Sequence, residues 1–263
     1  MRHHIVDTFA DATHLGNPAA VVELPEFAPT AGMQDSAHRI GLPTTAFVVA
    51  AGAGEYRVRW FTPYKELNLC GHATIAATRV LLGDRTRLTF VSDNGVLHAE
   101  RSGDLVSIDL PAAALTACDP PPELLAALGV RAVACVVSSD DILIEVESAT
   151  VVAAIRPDFA ALARQPYRGH IVTARGADGV DFTSRTFFPA LGVDEDQVCV
   201  TAHCKLTPYW GRRLGRDRLT ATQLSRRGGR LALRDAGDRV HVLGSAVLRG
   251  AYDEVPELLE ERR

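Results

Sequence analysis

The chain has 263 residues, of which 47% are hydrophobic, and a formal net charge of -4. That is enough apolar material for two modest domains, and the charge balance excludes a nucleic-acid surface built on excess positive charge. The N-terminus lacks a charged start followed by an apolar run, and no stretch is long enough to cross a bilayer, so a cytoplasmic protein without membrane contact is expected.

The cysteines are Cys70, Cys118, Cys135, Cys199 and Cys204. Their odd number and wide spacing fit neither a disulfide scaffold nor a zinc site, and reduced thiols are expected. Positive charge is almost entirely arginine. The group Arg212, Arg213, Arg216 and Arg218 reads as a solvated helix face before it reads as a basic patch.

In chain order, His4 to Phe9 alternates as a strand, and Gly16-Asn17-Pro18 is a turn before the apolar run Ala19 to Val22. A helix is predicted over Gly32 to Ile40 and a buried strand over Thr45 to Ala50, joined by a short loop at Gly41 to Thr44. Tyr56 to Phe61 alternates again. At Leu69-Cys70-Gly71-His72-Ala73-Thr74 a polar extended run meets a helix of small apolar residues that continues through Leu81 towards Gly83. The free N–H groups at that helix start suit an anion such as a substrate carboxylate.

Strands at Leu88 to Val91, Val96 to Glu100 and Leu105 to Asp109 follow, and then a proline-rich crossing from Pro111 to Pro122. Beyond it come a short helix at Glu123 to Leu128, strands at Cys135 to Val137 and Ile142 to Val146, and helical segments at Val151 to Ala154 and Phe159 to Ala163. A strand at His170 to Thr173 precedes an acidic loop, Gly192 to Gln197, and a second helix in which Pro208 should produce a kink or a restart.

The halves repeat each other. Arg59-Trp60-Phe61-Thr62-Pro63, Cys70-Gly71-His72-Ala73, Leu88-Thr89, Ser92 to Leu97 and Asp104-Leu105-Val106 recur as Arg185-Thr186-Phe187-Phe188-Pro189, Cys199-Val200-Thr201-Ala202, Leu219-Thr220, Ser225 to Leu231 and Asp238-Arg239-Val240. Two copies are too few for a solenoid, so a duplicated domain with the site between its halves is expected, divided into residues 1–115 and 116–263. The last residues could return to the first lobe.

These residues resemble the PhzF-like family of phenazine-biosynthesis-type isomerases, related in fold to diaminopimelate epimerase and proline racemase. The resemblance runs through Val6 to Phe9 with Gly16 to Val21, Thr45-Ala46-Phe47-Val48, Trp60 to Pro63 with Leu69 to Thr74, and Asp181 to Arg185 with Glu195-Asp196. It continues through Ala202-His203, Pro208-Tyr209-Trp210 and Gln223 to Gly229. It implies an α+β fold of two pseudo-symmetric lobes, each a mostly antiparallel roll around a central helix. It also implies a homodimer, and a small carboxylate substrate held without metal or organic cofactor.

Carried onto this chain, the family's catalytic aspartate falls on Asp196, its histidine on His72, and its serine on Thr201. The family's Leu-Ser-Glu-Thr-Ala-Phe reads Leu42-Pro43-Thr44-Thr45-Ala46-Phe47 here, so Thr44 stands in place of a glutamate and cannot act as a general base near neutral pH. Val200 stands where the second signature has glycine, and Cys199 where it has threonine. The expected function is a proton and double-bond shift in a small unsaturated cyclic carboxylate of specialised metabolism, in a phenazine- or alkylproline-type pathway. Asp196 and His72 would be catalytic, with Asn17, Thr44, Cys70, Gly71, Cys199, Val200 and Thr201 around the substrate.

Each residue also has a plainer reading. Asp196 could cap the second helix, His72 could be a core histidine, and Cys70 a small buried hydrophobe. Alternatively, Cys70 and Cys199 could be the paired bases of an epimerase, since a helix N-terminus lowers a thiol pKa. The third possibility is a homologue that binds a small molecule without turning it over.

Overall fold

Strands arise here where apolar and polar residues alternate or apolar runs are flanked by turns, and helices where small apolar residues recur at three- and four-residue spacing. The computed structural model describes residues 3–139, 141–177 and 179–252. The chain opens with β1 (His3–Thr8), β2 (Asn17–Leu24), α1 (Thr30–Ile40), β3 (Thr44–Gly52), β4 (Glu55–Phe61), β5 (Glu66–Leu67), α2 (Gly71–Leu81), β6 (Arg87–Ser92), β7 (Gly95–Ser102) and β8 (Leu105–Pro111). Next come β9 (Thr116–Ala117), α3 (Pro122–Leu128), β10 (Ala134–Ser138), β11 (Asp141–Glu145), α4 (Ala149–Ala154), α5 (Phe159–Ala163), β12 (Gly169–Arg175) and β13 (Phe182–Phe187). A 3-10 turn at Pro189–Leu191 leads to α6 (Val200–Leu214), β14 (Arg218–Gln223), β15 (Gly229–Asp235), β16 (Arg239–Gly244) and β17 (Ala246–Tyr252).

Two compact units result. One comprises residues 3–109 together with residues 243–252, and the other is Leu110–Val242. In the first, β1 pairs antiparallel with β17 on one edge and with β2 on the other. The ladder continues parallel to β3, antiparallel to β4, parallel to β6, and antiparallel to β7 and β8.

The second unit repeats these senses. β10 and β11 are antiparallel, β11 and β12 parallel, β12 and β13 antiparallel, β13 and β14 parallel, and β14 and β15 antiparallel. The registers match as well, for Thr45 opposes Phe61 as His170 opposes Phe187. Arg59-Trp60-Phe61 and Arg185-Thr186-Phe187 therefore hold equivalent places.

Each sheet has an outer helical layer. In the first unit Met33 and Ala37 of α1 pack on Val22, Phe47, Val49 and Phe61. In the second, residues of α3, α4 and α5 surround Ile142, Ile144, Val172 and Phe187. The inner helix of the first unit, α2, is buried from Gly71 through Thr78 and packs against β1, β2, β3 and β7. A helix enclosed in this way must be slim, which explains Ala73, Ala76 and Ala77.

The inner helix of the second unit, α6, does not restart at Pro208 as the sequence suggested; it runs unbroken from Val200 to Leu214. Proline lacks the N–H that would bond to Cys204 O one turn earlier. That carbonyl is satisfied from outside the helix by the Ala113 N–H, at 3.2 Å. Phe182 stacks on Trp210 at 5.9 Å, and Trp210 Nε1 donates to Thr173 Oγ1 at 3.0 Å, fixing the far end of α6 on β12 and β13.

Gly16 turns the chain from β1 into Asn17. Its φ is +69°, and a Cβ there would meet Thr8 O at 2.1 Å. Gly16→Ala is expected to lower stability in urea denaturation by more than about 2 kcal/mol, from both the left-handed backbone and the clash. Gly83→Ala, at φ +55° with open space around it, is expected to cost only about 1 kcal/mol.

Candidate active site

Each inner helix starts with a cysteine as its N-cap. Cys70 is extended at φ -142° and Cys199 at φ -95°, and neither makes a side-chain capping hydrogen bond. This fixes the register of the repeat: Cys70 corresponds to Cys199, Gly71 to Val200, and His72 to Thr201. The contacts repeat with it. Cys70 Sγ lies 3.3 Å from His72 Nδ1, and Cys199 Sγ lies 3.3 Å from Thr201 Oγ1. Thr74 Oγ1 donates to Cys70 O at 2.7 Å, and His203 Nδ1 reaches Cys199 O at 2.7 Å.

The approach to each helix is clamped alike. In the first unit Arg59 makes a bidentate pair with Glu66, both bonds at 2.7 Å. In the second, Arg185 grips Glu195 at 2.7 and 2.9 Å and also donates to Ile155 O at 2.8 Å. The second pair is the more deeply buried, with side chains 11% and 14% exposed against 20% and 36%. A planar guanidinium holding a carboxylate at two points fixes orientation as well as position.

In the first unit His72 is 6% exposed. Burial pushes its pKa down from 6.5 to about 4, with the Pro18 carbonyl opposing weakly, so its imidazole is neutral near pH 7. Its Nε2 makes no hydrogen bond of normal geometry. Thr44 Oγ1 accepts from Cys70 Sγ at 3.6 Å, so the residue standing in the glutamate's place touches the helix mouth. Asn17 is fully buried at the head of β2, and its carbonyl accepts from Thr8 Oγ1 at 2.9 Å.

In the second unit the segment from Asp196 to Cys199 is held by a residue that the sequence reading left out of the site. Gln223 is fully buried at the end of β14. Its Oε1 accepts from the Cys199 N–H at 2.9 Å, and its Nε2 donates to Asp196 O at 2.6 Å and Thr186 Oγ1 at 2.9 Å. The following turn grips the same segment, with Ser225 Oγ donating to Gln197 O at 2.7 Å and the Arg227 N–H to Gln197 Oε1 at 3.1 Å. Asp196 is half-buried, and its own N–H donates to Thr186 O at 3.1 Å.

A second omission is the carboxylate of Asp141, which is 1% exposed. Arg168 Nε donates to it at 3.0 Å, and Lys205 Nζ lies 2.9 Å away on α6, with Thr201 O a further 3.4 Å contact. A lone aspartate in an apolar strand carried no motif that could have revealed it.

The Cys199 thiol does not have the lowered pKa that a helix start alone would give. Cys199 is pushed well above its ordinary value, by burial first and by the Asp196 charge next, against the smaller effects of Thr201 and the Ala202 N–H. Desolvation outweighs the helix start here. Val200 is not among the described residues with positive φ, so the missing glycine leaves the helix start unstrained.

A doubled α+β ladder with an equivalent cysteine-capped helix in each unit places the chain in the epimerase-fold class. The model of the family described as phenazine biosynthesis-like protein matches residues 6–250, and the chain belongs to this PhzF-like family. It is 46% identical to an uncharacterized isomerase of Pseudomonas aeruginosa, over 94% of this chain and 96% of that protein. It is 41% identical to a PhzF-family crystal structure from Enterococcus faecalis, covering 95% and 97% of the two chains at a TM-score of 0.90. A probable proline racemase from Agrobacterium radiobacter, at 12% identity, 99% and 94% coverage and a TM-score of 0.63, shares the fold.

Two outcomes are expected. Gln223→Leu leaves the Cys199 N–H and Asp196 carbonyl without partners and should cost about 3 kcal/mol in denaturant unfolding. The pH dependence follows from His72 and His203, both depressed to about 4 mainly by burial. The unfolded chain protonates them below about 6.5 while the native one does not. Their stability contribution is full above pH 6.5 and falls by up to about 1.4 kcal/mol per pH unit for each histidine down to about pH 4. Urea midpoints between pH 7.5 and 4.5 should show this, and His203→Asn should flatten part of the decline.

Proposed function

We propose that this protein is a cofactor-independent isomerase that moves a proton, and with it a double bond, in a small unsaturated cyclic carboxylate. Asp196 takes the proton from a saturated carbon beside the unsaturated system and returns it at the other end of that system. Neutral His72 donates to or orients the substrate. The free N–H groups at Gly71-His72 and Val200-Thr201 accept carboxylate charge, and Thr44 lines the space that a glutamate fills in relatives.

The observation that carries this reading is the bracing of Asp196. Gln223 holds its backbone, the Arg185–Glu195 pair fixes its neighbour, and the chain reaches the N-cap of α6 three residues later. Precise placement of one ionisable carboxylate is what a single-carboxylate proton shuttle requires. A substrate from specialised metabolism, phenazine- or alkylproline-type, and a homodimeric assembly extend the proposal on the family resemblance alone.

A two-cysteine epimerase is the second reading, favoured by the equivalent places of Cys70 and Cys199. The upward push on the Cys199 thiol argues against its serving as a resting base. Incubation with unsaturated cyclic amino acids in D₂O separates the two. Asp196→Asn is expected to cut solvent deuterium incorporation at least about 100-fold, while Cys199→Ser retains it and no stereocentre inverts. Undiminished exchange in Asp196→Asn, or silence in Cys199→Ser with inversion in the wild type, would replace the first reading by the second. No exchange with any substrate that binds would leave a binding protein.

A further inference from the structure

Cys118 and Cys135 belong to neither helix mouth. Cys118 follows β9 directly, and the β9–β10 register, Ala117 against Val136, continues to set it opposite Cys135. The Cys118 N–H donates to Cys135 O at 3.1 Å, and the two Sγ atoms lie 3.0 Å apart. Residues facing each other in a hydrogen-bonded antiparallel pair have Cα atoms about 5.5 Å apart, within the span a disulfide accepts. Little more than a side-chain adjustment separates this pair from a bond.

The two thiols differ in access. Cys135 is 5% exposed and lies in the core beneath α3 and α5, whereas Cys118 is half-buried at its edge. Burial and the neighbouring Cys118 push the Cys135 thiol up to about 12, so it is protonated at rest. Cys70 and Cys199 cap separate helices, and Cys204 lies within α6 with its thiol directed to Val200 O.

We propose that Cys118 and Cys135 form a reversible disulfide, a modification site in the outer layer of the second unit that reacts with small disulfide oxidants such as oxidised glutathione. The Cys118 thiolate attacks one sulfur of the oxidant, forming a mixed disulfide and releasing one small thiol. Cys135 then attacks Cys118 Sγ and displaces the second. The protein gives up two electrons and its two thiol protons, and the oxidant leaves as two reduced thiols. The bond closes a segment whose ends are 17 positions apart and which carries α3.

Purified full-length protein treated with oxidised glutathione, alkylated without reduction and measured by intact mass tests this. The expected result is a loss of about 2 Da with two fewer alkylatable thiols, reversed by dithiothreitol. Tryptic cleavage after Arg131 should leave the fragments containing Cys118 and Cys135 joined. Oxidised wild type should melt several degrees above its reduced form, and Cys118→Ser and Cys135→Ser should show neither the cross-link nor the shift. A stable glutathione adduct on Cys118 without closure, a cross-link between other cysteines, or an unchanged thiol count would each overturn the proposal.

Discussion

A helix wrapped by its own sheet has nowhere to send an unsatisfied polar group except its ends. The inner helices of both units obey this constraint in the same way. Thr74 and Thr78 in one, and His203 and Thr207 in the other, donate back to carbonyls one turn earlier. The first-turn N–H groups have no carbonyl partner inside the helix and point away from its body. The helix mouths are therefore where each inner helix presents backbone donors beyond itself, and its N-cap stands beside them. Neither N-cap cysteine makes the side-chain capping hydrogen bond that a serine or aspartate commonly supplies at this position.

The duplicated plan shows which features the fold needs and which each unit has varied. The Arg59–Glu66 and Arg185–Glu195 clamps recur, as do the capping cysteines and the back-bonded helices, so they serve the architecture. Thr44 and Gly169, at matching strand positions, do not correspond chemically. Beside Gly169 lies the carboxylate of Asp141, neutralised by Arg168 and Lys205; a Cβ at Gly169 would approach it at 2.7 Å. One unit thus leaves a hydroxyl near its helix mouth, and the other a fully paired carboxylate.

Much of this was legible from the residues. The period of the small apolar residues after Gly71 identified α2, and the order of recurring landmarks identified the duplication, because both depend on patterns local to the chain. The fate of Pro208 was not legible: whether a proline breaks a helix depends on whether some distant donor takes the carbonyl it strands, and here Ala113 does so. Gln223 and Asp141 escaped for the same reason, since their importance comes from partners far away in sequence. The upward shift of the Cys199 thiol is not legible in sequence because a helix start and full burial push a thiol in opposite directions, and only the packing around it makes burial the stronger.

The first unit takes a strand from beyond the second: β17 pairs along the whole of β1, from Tyr252 against His3 to Ala246 against Thr8. During synthesis the residues of β1 emerge first, yet they cannot seal that edge until Tyr252 has left the ribosome. The intervening lobe has its strands from Ala134 to Asp235 available earlier. Translation order and completion order are thus reversed, and β1 must wait with one row of backbone groups unpaired, the kind of edge on which nascent chains stick to one another.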